Sequence, residues 1–402
     1  MKKVMIKILA LFIIFIVSFI ALESLFRLYR GKDLTLKVTT GKELNSGYDF
    51  EPYKDFELTS SRKGEFDVNV KINNFGFRGG DMKLEKTPGV SRIFMVGDSF
   101  TFGVGAEDDE TIPYLTEKKL KDKGFNVEII NAGVGHRSPV IYYLKLRDNY
   151  LKFKPDAVVL LLDFSDLRDD WHAERGAVYG KDGEIARIDP FMVYGKRDWW
   201  GMIVRNSEVC TYVNNKLVRT FQKIKVLGFK RYIASAIAGK RAKAVIATSD
   251  NLYDKIDPIE YDGYLFMRGK EKLALIQKHW TRTEKYLLKI RNLLISHGID
   301  FTLVMYPYGI HVGPDEWSEG KVYWGFEKGK VYTDRFAFDM VRDFCKDNSI
   351  RYVNTLDNFL VNKKPDVKFF FDLDGHMTPA GNRIVAECIS SEIAEKYHGD
   401  YR

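Results

Sequence analysis

The 402-residue chain has only three cysteines, Cys210, Cys345 and Cys388, and no pair has metal-ligand spacing. An odd number cannot pair fully within one chain, so no disulfide framework is implied. The histidines, aspartates and glutamates show no metal-ligand spacing either, and neither a metal nor an organic cofactor is expected. Gly103-Val104-Gly105 lacks the third glycine of a dinucleotide fingerprint. There is no internal repeat and no low-complexity segment. The net charge is +8, yet lysine and arginine are scattered, and the longest basic stretch, residues 223–243, is broken by apolar residues. That dispersal argues against a nucleic-acid partner and suits a protein near an anionic membrane surface.

What the chain does have begins at its N-terminus. Lys2, Lys3 and Lys7 precede an uncharged apolar run over residues 8–22, and residues 4–26 hold only Lys7 and Glu23 as charges. At about 1.5 Å per helical residue this run can span a hydrocarbon core of about 30 Å, with both charges near its ends. Ala21-Leu22-Glu23-Ser24 makes a poor cleavage site, and no lipobox cysteine follows. Residues 1–26 are therefore read as an uncleaved single-pass membrane anchor, with a cleaved signal peptide as the alternative. Arg27, Arg30 and Lys32 nearly balance the lysines before the run, so orientation is weakly specified. The globular part is expected outside the cytoplasm. Residues 27–66, mixed and polar, read as a stalk.

Beyond the stalk the pattern becomes regular. Residues 67–72 alternate as a strand and lead into the glycine-rich turn Asn73-Asn74-Phe75-Gly76-Phe77-Arg78-Gly79-Gly80. Strands are expected at 92–96, 127–130, 156–162, 301–305 and 351–353. Helices are expected at 111–123, 139–151, 271–297, 333–348 and 378–397. Strand–helix alternation predicts an α/β fold: a parallel sheet within three α/β/α layers. The rhythm fails over residues 171–270, which read as an aromatic-rich, partly helical insertion. The catalytic domain is then expected over 67–170 and 271–402.

Four short blocks carry chemistry. Gly97-Asp98-Ser99 ends the strand at 92–96, where glycine permits a sharp turn. Asn131-Ala132-Gly133-Val134-Gly135 and Asp163-Phe164-Ser165-Asp166 end two more strands. Asp374-Gly375-His376 precedes the last helix. In a parallel sheet all strand carboxyl ends lie on one edge, so the blocks can converge. Serine, histidine and aspartate are what nucleophilic acyl transfer needs, and an Asp two residues before a His can orient the ring. The amides of Ser99 and Gly133 are candidate oxyanion donors. His136 and His311 read as surface residues, with lining the pocket as the alternative. The aromatic residues of the insertion read as core, with sugar stacking as the alternative.

This constellation resembles the SGNH (GDSL-like) hydrolase family, in the form of a membrane-anchored member. Gly97-Asp98-Ser99 looks like its first block, Gly133 like its oxyanion glycine, and Asp374 with His376 like its final Asp-x-His. The resemblance covers about residues 68–170 and 271–402. It implies a flavodoxin-like parallel sheet, Ser99 as nucleophile, His376 as base, and Asp374 as the residue orienting it. The third block departs from the family's Gly-x-Asn-Asp, because Ser165 stands where an oxyanion-donating Asn is expected. Asp166 beside it would oppose negative charge unless paired, with Arg168 as the nearest candidate partner.

The resemblance implies a serine esterase or O-acyltransferase. Its substrate class would be acyl, above all acetyl, esters of an extracytoplasmic glycan. Expected partners are that acylated carbohydrate or another ester substrate, with lipids and small esters open, membrane lipid through the N-terminal helix, and envelope polysaccharide machinery. The alternative is a non-catalytic glycan-binding or assembly protein that keeps the fold.

Overall fold

A computed structural model describes residues 14, 17–25, 50, 52–60, 64–188, 259 and 262–399. The chain divides into two compact units, one of residues 36–193 with 258–402 and the other of 1–35 with 194–257. In the second unit the described residues, 14 and 17–25, are helical. The expected span over 1–26 otherwise lies outside the described residues. Among those described, no helix is long and apolar enough to cross a membrane.

The larger unit is built on a five-stranded sheet. Its strands are β3 (Ser91–Gly97), β4 (Val127–Gly133), β5 (Ala157–Leu162), β8 (Asp300–Met305) and β9 (Arg351–Asn354). Their order is β4-β3-β5-β8-β9, and every neighbouring pair is parallel. Central β5 reads Ala-Val-Val-Leu-Leu-Leu and is buried throughout, the unbroken apolar run of a strand covered on both faces. Helix α2 (Ile112–Asp122) starts where the Thr111 side chain accepts from the Tyr114 amide. Gly124 follows it at φ +88°, a conformation that other residues rarely adopt. Helices α3 (Pro139–Lys145), α5 (Leu273–Ser296), α7 (Phe336–Asp347) and α9 (Pro379–Gly399) complete the layers. Helix α2 packs with α9, and α3 with α5. Trp280 of α5 meets Phe344 of α7 edge-on at 5.5 Å, which groups these two helices.

The expected elements recur with ends moved by a few residues. The exception is the helix over 139–151, which is α3 followed by a π turn, Leu146–Tyr150, and a 3₁₀ turn, Leu151–Phe153. Five further elements carried no clear period. Strand β1 (Phe56–Thr59), within the segment read as a stalk, pairs antiparallel with β2 (Asp67–Val70). Phe50, Leu58, Phe66, Val68, Val70 and Ile72 bury together against Phe102 and Val134. This part of the supposed stalk is therefore packed on the domain expected over 67–170 and 271–402. Helix α4 (Asp166–Glu174) and the hairpin β6 (Ala177–Tyr179) and β7 (Ile185–Ile188) occupy the start of the supposed insertion. Ile185 and Ile188 pack with Val140, Leu144, Ala173 and Tyr286. Helix α8 (Leu356–Asn362) follows β9. Residues 189–258 of the insertion lie outside the described residues.

The topology decides where a ligand can sit. From β3 the chain leaves to β4 on one side and returns to β5 on the other. The loops after β3 and β5 therefore diverge, and a crevice opens at the carboxyl edge between them. Gly97, the last residue of β3, stands at that crevice.

Candidate active site

β3 ends by turning directly into the one-turn helix α1 (Ser99–Phe102). Asp98 caps it, its carboxylate accepting from the Phe100 amide at 2.9 Å. The cap leaves Ser99 at the crevice, at the start of the turn. The turn lies so close to β4 that a Cβ on Gly133 would stand 2.2 Å from the Phe102 nitrogen. Gly133→Ala must therefore displace backbone. We expect it to destabilise the fold by about 2–3 kcal/mol, read from the urea midpoint, with loss of activity following the displaced Ser99. An unchanged midpoint would refute this packing.

The other half of the pair comes from the far end of the chain. His376 Nε2 lies 2.8 Å from Ser99 Oγ. His376 Nδ1 is hydrogen-bonded to Asp374 Oδ1. The intervening Gly375, at φ +90°, folds both side chains to the same side, and a Cβ there would meet the Trp317 indole at 2.5 Å. Phe100 packs against the His376 ring at 4.7 Å. Burial pulls the imidazole pKa down, but the charge and hydrogen bond of Asp374, with the charges of Asp98 and Asp163, outweigh it. The net direction is upward from 6.5. Of the five site residues expected, Ser99, Asp374 and His376 are thus brought together.

Gly133 and Ser165 are placed differently from their expected roles. The Gly133 amide donates to Asn131 Oδ1 at 3.1 Å, so it is already engaged within its own loop. The Ser165 hydroxyl donates to Asp169 at 3.1 Å, and its amide donates to Asp163 at 2.7 Å. Gly135 of the second block comes close to the nucleophile: a Cβ there would lie 3.9 Å from Ser99 Cβ. Among the described residues, the amides of Ser99 and Gly135 meet no acceptor. The glycine-rich spelling Gly133-Val134-Gly135 pointed to this loop, but two glycines one residue apart cannot be ranked without coordinates.

The expected Asp166–Arg168 pair does not form. Arg168 pairs with Asp169 at 3.3 Å. Asp166 is buried, and burial together with the charge of Asp163 drives its pKa well above 3.8. That direction favours the neutral acid, which opposes an oxyanion less than a carboxylate does. Asp98 is raised in the same way, by burial and then by Asp163. Asp163 accepts from the hydroxyls of Tyr306 at 2.8 Å and Tyr308 at 2.9 Å. These two tyrosines tie the end of β5 to the segment after β8, and no sequence pattern announced them. His136 is exposed, as expected, at φ +56°. His311 is not: it is buried, its Nδ1 accepts from the Tyr308 amide at 3.1 Å, and burial pushes its pKa down to about 4. It is a structural, neutral histidine. Among the described residues no group of His, Cys, Asp and Glu could hold a metal ion.

No family model matches the chain, nor does any curated protein. Solved structures similar to it include the acetyl xylan esterase AlAXEase, at 16% identity over 75% of this chain and 99% of that one, with TM-score 0.36. A catalytic mutant of Axe2, an acetylxylan esterase from Geobacillus stearothermophilus, matches at 12% identity over 75% and 94%, with TM-score 0.35. A lipolytic protein of the G-D-S-L family from Desulfitobacterium hafniense matches at 10% identity over 75% and 98%, with TM-score 0.31. Likeness at this level does not carry a functional reading, which rests on the geometry above.

Proposed function

We propose that the chain is a serine esterase of the SGNH type that cleaves or transfers acyl groups, acetyl foremost, at the esters of a glycan outside the cytoplasm. The observation that carries this is the 2.8 Å contact of Ser99 Oγ with His376 Nε2, backed by Asp374 on the other ring nitrogen. With the Nδ1 proton held by Asp374, Nε2 is free to accept the Ser99 proton. Ser99 Oγ attacks the acyl carbon, and the carbonyl oxygen becomes an oxyanion received by the amides of Ser99 and Gly135. The protonated His376 then gives its proton to the departing alcohol oxygen, leaving an acyl-serine. Water frees the acid in hydrolysis, and an acceptor hydroxyl takes the acyl group in transfer. His376 serves as base in either second step.

The test is labelling by a fluorophosphonate probe together with turnover of an acetyl ester and of acetylated xylan. Labelling at Ser99 with release of acetate supports the reading. A folded protein that neither labels nor turns over acetyl esters favours a binding or assembly role instead.

Residues 1–26 act in this reading as the anchor, with the larger unit on the outer side of the membrane. The uncharged run over 8–22 after Lys2, Lys3 and Lys7 supports it. Protease added to intact spheroplasts is expected to degrade the larger unit. Its protection there would reverse the orientation.

A further inference from the structure

The catalytic pair is joined across the length of the chain by two unlike supports. Ser99 sits on the end of a buried strand, whereas Asp374 and His376 ride on a loop, residues 371–378, outside regular structure. A loop holds a side chain to catalytic tolerance only where other groups fix its backbone.

One such group comes from the β1–β2 hairpin. The Glu65 carboxylate accepts from the Leu373 amide at 2.8 Å with one oxygen and from the Asp374 amide at 2.8 Å with the other. A carboxylate bound in this two-pronged way leaves the pair of amides little freedom to slide or rotate. The next residue, Phe66, lies against Phe371 with the ring centres 5.0 Å apart and the planes tilted by 50°. Both rings close on Gly105, where a Cβ would meet Phe371 at 2.5 Å and Phe66 at 2.9 Å. Gly105 lies six residues beyond Ser99, in the segment that Arg78 holds through the carbonyls of Phe102, Gly103 and Ala106. The hairpin therefore touches both halves of the site. Its apolar face rests against Phe102 of the nucleophile's turn, and Glu65 grips the backbone of the acid.

We infer that Glu65 is a positioning residue for catalysis, setting Asp374, and through it His376, against Ser99. The inference rests on the Ser99–His376–Asp374 reading above. Glu65 touches no reacting atom; it acts through the two amides. If its grip is lost, the Asp374 carboxylate strays from Nδ1. The imidazolium then loses part of the support that holds its pKa above the ordinary value. Two effects should follow together: a fall in kcat, and a lower His376 pKa.

The test uses the full chain with Glu65→Gln, Glu65→Asp and the control Thr59→Ala. Gln keeps the length but turns an amide donor toward one of the two N–H groups. Asp keeps the charge but is one methylene short. Thr59 lies in the same hairpin, with its hydroxyl donating to Asp67 at 3.2 Å, and among the described residues no hydrogen bond joins it to the loop. For Glu65→Gln we expect kcat on an acetyl ester to fall about 10- to 100-fold at nearly unchanged KM, the scale of a small misplacement of a catalytic group. Its His376 ring proton, followed by NMR, should titrate at lower pH than in the parent protein. Glu65→Asp should recover part of both, and Thr59→Ala should match the parent in both. A folded Glu65→Gln protein with parental kcat and parental His376 titration overturns the inference. So does a fall in kcat without the titration shift, which would mark Glu65 as structural only. Failure of the underlying reading looks different: Ser99→Ala would retain turnover whatever Glu65 does. The NMR titration needs no substrate, so it reads the positioning even if the ester chosen is a poor one.

Discussion

Ser99→Ala is expected to lower kcat on an acetyl ester by about 10⁴-fold or more while leaving the fold intact. Loss of the nucleophile from a serine triad leaves only the rate supplied by binding and the oxyanion donors. The fold should hold because the Ser99 hydroxyl contributes little elsewhere. Its partners are His376 Nε2 and a long 3.4 Å contact to Asp98. The helix cap comes from Asp98, not from Ser99, and alanine is favourable in a helical turn. Three measurements check this: turnover, the thermal midpoint, and fluorophosphonate labelling, which should vanish with the hydroxyl. Turnover equal to that of the parent protein would remove Ser99 from the mechanism.

Asp374→Asn is expected to cost about 10³- to 10⁴-fold in kcat, because it attacks the tautomer rather than the nucleophile. An asparagine can turn its NH₂ toward Nδ1, which places the ring proton on Nε2 and leaves nothing to accept from Ser99. The pH profile adds a second signature. His376 acts as a base only when neutral, so kcat/KM rises as pH passes up through its pKa. Burial lowers that pKa, and Asp374, with the charges of Asp98 and Asp163, more than offsets it, so in the parent protein the rise falls above pH 6.5. Without the Asp374 charge the lowering effect of burial is left less opposed, and the residual activity of Asp374→Asn should rise at lower pH. An acidic limb that stays in place would show that another group titrates. Glu65→Gln should move the same limb in the same direction by less, since there the carboxylate is loosened, not removed.

Much of this was legible before any coordinates because it is local. A fully buried strand needs an unbroken apolar run, and Ala157–Leu162 supplies one. A sharp strand-to-helix turn needs glycine and a capping side chain, and Gly97-Asp98 supplies both. An aspartate two residues before a histidine can reach its ring with no help from the rest of the chain, so Asp374-Gly375-His376 could be read as a functional pair. Alternating strands and helices then leave few topologies, and in all of them the strand ends share an edge.

What only the tertiary structure decided is how each polar group is shared out among partners distant in sequence. The Gly133 amide was a fair candidate donor until Asn131 was seen to occupy it, and the Ser165 hydroxyl until Asp169 was. Asp166 lies without a cation partner, and burial beside Asp163 shifts its pKa upward, toward the neutral form. The segment around Phe56–Thr59 was too short and too mixed to show a period, and it became a strand only through pairing with Asp67–Val70. Glu65 lies about 300 residues before the amides it holds. Sequence patterns arise from the repeat of a helix or a strand, and a hydrogen bond between two loops has no repeat. The residues proposed to react were therefore visible in the sequence, whereas the groups that hold them in register depend on the folded chain.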